Sequence, residues 1–299
     1  MPPSALRLDG TLEPDDVAAF RAALPFLKGS PAPHITTLGP AKPPADPRRV
    51  DATLETSTSV KQLGDISDQE MWGVATDSSN NIFIAGYNEG KFALGASPAD
   101  MITETGFIGE LSVLLDPQWG RNLAAVHSIH LAIDKLDGSV IVAGEFGHMV
   151  VDDGKGMTLD LIAVGTTNAY VLKYDANGVL LWHKRLGTSS YTKATGVAVD
   201  SAGDIVLAGE LNGAVDFGIG TPLVTAGDDD VFLVKLSAAG ETQWVAQYGD
   251  ASPQRKPAVA VDPQRNIVLT GKYRGQLDFG NGALSSPGSA SMLVAKFAP

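Results

Sequence analysis

Three of the chain's five histidines, His127, His130 and His148, fall close together and bracket Glu145. Imidazole nitrogens with one carboxylate make a donor set for Zn²⁺ or another borderline metal. Without metal, the same groups would supply a general base. The chemistry to expect is metal-assisted hydrolysis or elimination, a hydrolase or lyase, with the histidines as ligands and Glu145 as ligand or base. Against it stands a plainer reading, surface histidines held by hydrogen bonds. The order His-x-x-His on a strand does not by itself put both rings on one face. Asp152-Asp153 and Asp228-Asp229-Asp230 offer carboxylates that would suit Ca²⁺, but the spacing of a calcium loop is missing and they read as solvated turn residues. No phosphate-cradling glycine loop, nucleophile elbow or His-Glu-x-x-His helix is present, so no residue is nominated as catalytic and no cofactor is expected.

The bulk composition narrows the partners. Of 299 residues, 33 are Gly and 18 Pro, 44% are hydrophobic and 19% charged, which fits many short strands joined by tight turns. A formal charge of -12 argues against nucleic acid and leaves protein or glycan as partner. Absence of cysteine removes thiolate chemistry without fixing the compartment. The start MPPSALRLDG has no apolar leader core and no run approaches a membrane span. A chain with its leader removed would read the same.

Residues 1–55 read as an extension. Pro14 and its acidic neighbours suit the first turn of a helix that ends near Lys28-Gly29, with Val17, Phe20 and Leu24 on its apolar stripe. A Pro-rich linker follows.

From residue 56 to 299 one unit of roughly 60 residues recurs four times, over about 65–124, 125–187, 188–249 and 250–297. Its first strand ends at Asp77, Asp134, Asp200 and Asp262, and its second at Gly86, Gly144, Gly209 and Gly271. The third strand carries Glu110, Lys173, Lys235 and Lys296, and Trp119, Trp182 and Trp244 follow the first three at constant distance. A twisted sheet with two apolar faces needs a neighbour on each side, so four units imply a radial array, with the tryptophans between neighbours. The last copy lacks its Trp strand, and residues 59–64 resemble 182–187 in length and in their Lys, Leu and Gly. This spacing predicts that 57–64 supply the missing outer strand and close a four-membered ring. A fifth, degenerate unit and an open arc completed by association remain alternatives.

The unit resembles the repeat of bacterial β-propeller proteins of the SBBP type, which occur in large surface or secreted proteins, including those of myxobacteria. The matching residues are Gly196 to Asp200, Gly203-Asp204, Ala208-Gly209, Asp216 to Gly218 and Asp230 to Lys235, and in the last copy Ala258 to Asp262, Thr270-Gly271, Asp278 to Gly280 and Met292 to Lys296. The resemblance implies an all-β propeller, a scaffold with no catalytic residues to carry over, and a secreted or cell-surface location, with a cytoplasmic one left open.

Held against the regular copies, His130 replaces Gly73, Gly196 and Ala258, and His148 replaces Gly90, Gly213 and Gly275. Pairing around Asp137-Gly138 predicts His130 opposite Gly144 and His127 near Gly147, so that the three histidines share one end of the blade. Tyr87, Glu145, Glu210 and Lys272 occupy equivalent positions on the same, loop-bearing face. The function expected is a non-enzymatic binding or scaffold module engaging a protein or glycan through that face. The alternatives are the metal-dependent enzyme and a structural component of a surface assembly, possible homo-oligomer formation included.

Overall fold

Turn chemistry sets where the strands begin and end. The Oδ1 of Asp77 accepts from the Ser79 and Asn81 amides, that of Asp200 from Ala202 and Asp204, and that of Asp262 from Gln264 and Asn266. Asp134 holds the Leu136 amide in the same way. An aspartate that satisfies the turn amides itself leaves the flanking residues free to pair as a hairpin.

The computed structural model describes residues 60–97, 100–187 and 191–299. The helix and Pro-rich linker expected over 1–55 lie outside them. Leu63–Pro299 forms one all-β unit. β1 (Gln69–Thr76), β2 (Ile82–Ala93), β3 (Met101–Leu111), β4 (Pro117–Ile133), β5 (Val140–Asp152), β7 (Asn168–Tyr174) and β8 (Leu180–Leu186) follow one another across a single antiparallel sheet, with β6 (Thr158–Ile162) paired to β5. The next sheet orders β14 (Thr242–Tyr248), β13 (Asp230–Leu236), β10 (Ile205–Asn212) and β9 (Tyr191–Val199), beside a ribbon of β11 (Ala214–Val215) and β12 (Leu223–Val224). The last orders β15 (Gln254–Val261), β16 (Ile267–Tyr273) and β19 (Ser291–Phe297), beside a ribbon of β17 (Gln276–Leu277) and β18 (Leu284–Ser285).

These five separate, unclosed sheets correct the propeller expectation and with it the SBBP resemblance. No ring closes. Two local causes are visible. The outer strand of the first segment does not stop: where Leu186 and Leu63 are followed by Gly187 and Gly64 at φ 109° and 103°, Leu123 is followed by Ala124, and β4 runs on through bulges into the second segment. Residues 60–64, the described part of the expected closing strand 57–64, form no strand. Leu63 packs instead with Ile82 and Phe92 against the buried Ile84, Leu94, Ile102 and Phe107. The outward face of the first segment is thus filled by its own Leu94 and Ile102, both fully buried, and offers no socket to the fourth.

The middle strands bury both faces. Val140 and Val142 of β5 join Phe83, Ile108 and Leu172 in one core, while their neighbours Ile141 and Ala143 join Ile205, Leu207 and Phe232 in the next. Val206, Ala208, Val231 and Leu233 then pack on Ile267, Leu269 and Leu293. Each such side chain contributes about 1.5–3 kcal/mol on burial. The tryptophans clamp successive segments. Trp119 donates its indole N–H to the Ala176 carbonyl at 3.1 Å and lies against Gly178; Trp182 donates to Ala238 at 3.1 Å and lies against Gly240.

The recurrent second-strand glycine has a steric cause. The first strand bulges beside it, bringing a carbonyl across the position a Cβ would fill: that of Glu70 at Gly86, Ser128 at Gly144 and Lys193 at Gly209. At Gly271 the nearest atom is 3.7 Å away. Gly209→Ala is therefore expected to cost about 1–3 kcal/mol by overpacking. Gly271→Ala is expected to be neutral or to stabilise by about 0.4–1 kcal/mol. Urea denaturation of both variants checks the contrast, and equal losses would refute the bulge argument.

Candidate functional site

The residues expected to hold a metal go to different partners. The β4–β5 ladder runs unbroken from the turn, with Ile133 opposite Val140, so His130 faces Ala143 rather than Gly144; the bulges lie beyond it, between Ala124 and Ser128. His130 lines a cavity of about 190 Å³ where Gly73, Gly196 and Ala258 of the other first strands also meet. Burial there holds its imidazole below the usual range, Lys193 adding to the depression and Glu145 opposing it. His127 is exposed at the bulge. His148 is exposed too, its Nε2 2.6 Å from Asp160 Oδ1 across the β5–β6 ladder. Glu145 is buried and pairs with Lys193 Nζ at 2.9 Å. Among the described residues no three His, Cys, Asp or Glu side chains gather as one ion would require.

The four equivalent positions expected to form a binding face divide in two. Glu210, like Glu145, reaches the first strand of the following segment, where its Oε1 accepts from the Lys256 amide at 2.6 Å. Both carboxylates are buried and spent on holding neighbouring sheets together. Tyr87 stacks on Trp72 at 6.1 Å with 13° between the rings. Lys272 is exposed, on the outer face of the last sheet.

A second set of charges recurs in the ladders. Lys173, Lys235 and Lys296 stand opposite Ile141, Val206 and Val268 and reach back to the aspartates of the first turns. Their Nζ atoms lie 3.4 Å from Asp134, 3.0 Å from Asp200 and 2.8 Å from Asp262. Arg265 adds a 2.9 Å contact to Asp200. Burial would raise the Asp200 carboxyl, but the bonds from Lys235, the Ala202 amide and Arg265 outweigh it and hold it low. Lys296 and Asn266 bring Asp262 down to about 2. The first segment breaks this pattern. Glu110, opposite Phe83, holds the position of the lysines, and Asp77 that of the aspartates. Glu110 is 8% exposed, and burial pushes its carboxyl up, with the Trp119 indole opposing and the Asp77 charge reinforcing.

Glu110 also lines a cavity of about 610 Å³, together with Asn81, Asp100, Trp119 and Arg121. Arg121 Nη1 pairs with Asp100 at 2.8 Å, both side chains being buried. Its Nε donates to the Gly178 carbonyl at 2.7 Å and Nη2 to Asn177 at 3.2 Å, clamping the next segment's turn as Lys184 clamps Gly240 at 2.8 Å. The exchange of Lys for Glu at position 110 is visible in the sequence. That its partner is another carboxylate emerges only from the register of β1, β2 and β3.

No family model matches the chain. It is 30% identical over 140 residues to an uncharacterized WD repeat-containing protein of Acanthamoeba polyphaga mimivirus, covering 42% of this chain and 10% of that protein. It is 25% identical over 155 residues to the regulatory protein FlaEY of Caulobacter vibrioides, covering 51% of this chain and 16% of that protein. The chain thus spans a small part of the curated relatives it matches. Among solved structures, a member of the DUF4221 family from Bacteroides vulgatus aligns over 66% of this chain and 56% of its own at 10% identity, with a TM-score of 0.33. A likeness that slight carries no argument about fold or function, and none of these matches supports the SBBP resemblance.

The carboxylate pair makes a stability prediction. Glu110→Lys would restore the ion pair of the other three segments and remove a like-charge contact, raising stability on the order of 1 kcal/mol at neutral pH. Glu110→Gln would relieve the repulsion alone and gain less. Urea unfolding at pH 7 measures both, and a loss on introducing lysine would show that position 110 is not equivalent to 173, 235 and 296.

Proposed function

We propose that this chain is a non-enzymatic binding module that engages a protein partner through the open face of β15, β16 and β19. One observation carries the reading. Met292 is 91% and Val294 75% exposed, whereas Val231 and Leu233, at the same ladder positions of the preceding sheet, are 2% and 1% exposed. A sheet face that is core everywhere else and water-exposed once is the kind of apolar patch that partners cover. The far edge of β19 supports the same reading. Among the described residues it pairs with no strand, so its backbone donors and acceptors can take an added one. The aliphatic character of Met292 and Val294 favours an apolar protein surface over a glycan, with Thr270, Lys272 and the Asp262-paired Lys296 as the polar groups around them.

A photo-crosslinking residue at position 294 tests this in cells that make the protein. A discrete adduct is expected at 294, absent from a control at exposed Ser201 and lost in a Met292→Asp background. Met292→Asp itself should change stability by less than about 0.5 kcal/mol, because the side chain is already in water. An adduct pattern at 294 no different from that at 201 would overturn the proposal.

A further inference from the structure

We propose that the cavity beside Asp77 and Glu110 is a binding site for a primary alkylammonium group, the cation carried by a lysine side chain or an aliphatic amine. This site lies in the first segment and is independent of the docking face on the last sheet.

The molecule contains its own template for the complex. Three of the four first-turn aspartates already bind a primary ammonium, at 3.4, 3.0 and 2.8 Å from Lys173, Lys235 and Lys296. Asp77 is the fourth. Its Oδ1 holds its own turn through the Ser79 and Asn81 amides and its Oδ2 accepts from Asn81 Nδ2 at 3.0 Å, as Asp262 Oδ2 accepts from Asn266 Nδ2 while also meeting Lys296, and no cation of the described residues pairs with Asp77. The side chain that would bring the ammonium is replaced by Glu110, 8% exposed and the cross-strand neighbour of the Trp119 indole. That indole already donates to the Ala176 carbonyl at 3.1 Å. Glu110 therefore stands where the fold elsewhere places a cation, with Asp77 behind the Asn81 that lines the same cavity.

The position is also accessible. The cavity of about 610 Å³ reaches Glu110, Asn81 and Trp119, ample for an alkyl chain of four or so carbons. Its remaining charges are committed to each other, Arg121 to Asp100 at 2.8 Å and to the carbonyls of Asn177 and Gly178. An ammonium has three donors to divide between two carboxylates and relieves the repulsion of a desolvated anion pair. A divalent ion would want a third carboxylate or imidazole, and none converges here among the described residues.

Calorimetric titration of the full chain with n-butylammonium chloride, with 1-butanol as the neutral control, tests the assignment. The Trp119 indole N–H signal reports the location. One saturable site is expected, weaker by about tenfold or more in Glu110→Gln, since a charge-assisted contact is lost. Binding should vanish in Glu110→Lys, whose own ammonium fills the site, and its melting temperature should rise. Arms with the peptide Ala-Lys-Ala and with putrescine separate the sources: tighter peptide binding assigns a protein lysine, tighter putrescine binding a free amine. The proposal is overturned by no saturable uptake of n-butylammonium, by equal uptake of 1-butanol, by unchanged affinity in Glu110→Gln, or by one equivalent of Ca²⁺ binding in the amine's place.

Discussion

A strand with apolar side chains on both faces forfeits burial energy wherever one is left in water, and that constraint organises the molecule from Ile82 to Phe297. Along β5, Val140 and Val142 belong to one core and Ile141 and Ala143 to the next. Along β10, Val206 and Ala208 face forward while Ile205 and Leu207 face back. Every sheet therefore needs a neighbour on each side, and the tryptophan clamps at Ala176 and Ala238 fix the stacking distance once the neighbours meet. The two ends of the stack answer the constraint differently. The first segment folds Phe92, Leu94 and Ile102 over its own outer face, whereas the last leaves Met292 and Val294 exposed. Self-covering at one end removes the socket that closure of the other end would need.

The polar interior follows a parallel rule. A buried ammonium is costly unless paired and hydrogen-bonded. Each buried lysine of the third strands meets an aspartate whose other lone pairs already hold a turn, so one carboxylate serves both hairpin and ladder. Such a pair adds little net stability beyond an apolar isostere, but it penalises any register that separates its members. Glu110 gives up that registration. The first segment keeps its register by other means, since β1, β2 and β3 remain paired from Thr76 and Ile82 to Leu111.

Much of the local structure is legible in the residue pattern. The aspartates at 77, 134, 200 and 262 mark the turns, and the glycines at 86, 144 and 209 mark backbone contacts beside bulges, so an all-β architecture can be read directly. Closure cannot. Whether sheets form a ring depends on what covers the outer faces of the first and last, and Leu94 and Ile102 look like any other apolar residues of an excursion. The histidines mislead for a related reason. A strand pattern assigns partners by counting from the turn, and the turn here pairs Ile133 with Val140, one step from the expected register, which puts His130 among the first strands, while the bulges between Ala124 and Ser128 leave His127 in solvent. Glu145 reads as a binding-face residue until the next sheet is present, when Lys193 claims it.

The departures that matter sit where the internal pattern is broken and the cost is still carried. His148 replaces a glycine at no expense, because it stands in water and pairs with Asp160. Glu110 is different. It is buried, it stands opposite the Trp119 strand where its counterparts stand opposite Trp182 and Trp244, and its carboxyl is pushed up by that burial. An exchange of lysine for glutamate there sacrifices an ion pair and adds a repulsion, and the cavity beside it remains open rather than collapsing on an apolar substitute. A position kept merely for packing would have lost the charge altogether. Retaining an acid against the local field makes physical sense when something outside the chain supplies the missing positive charge.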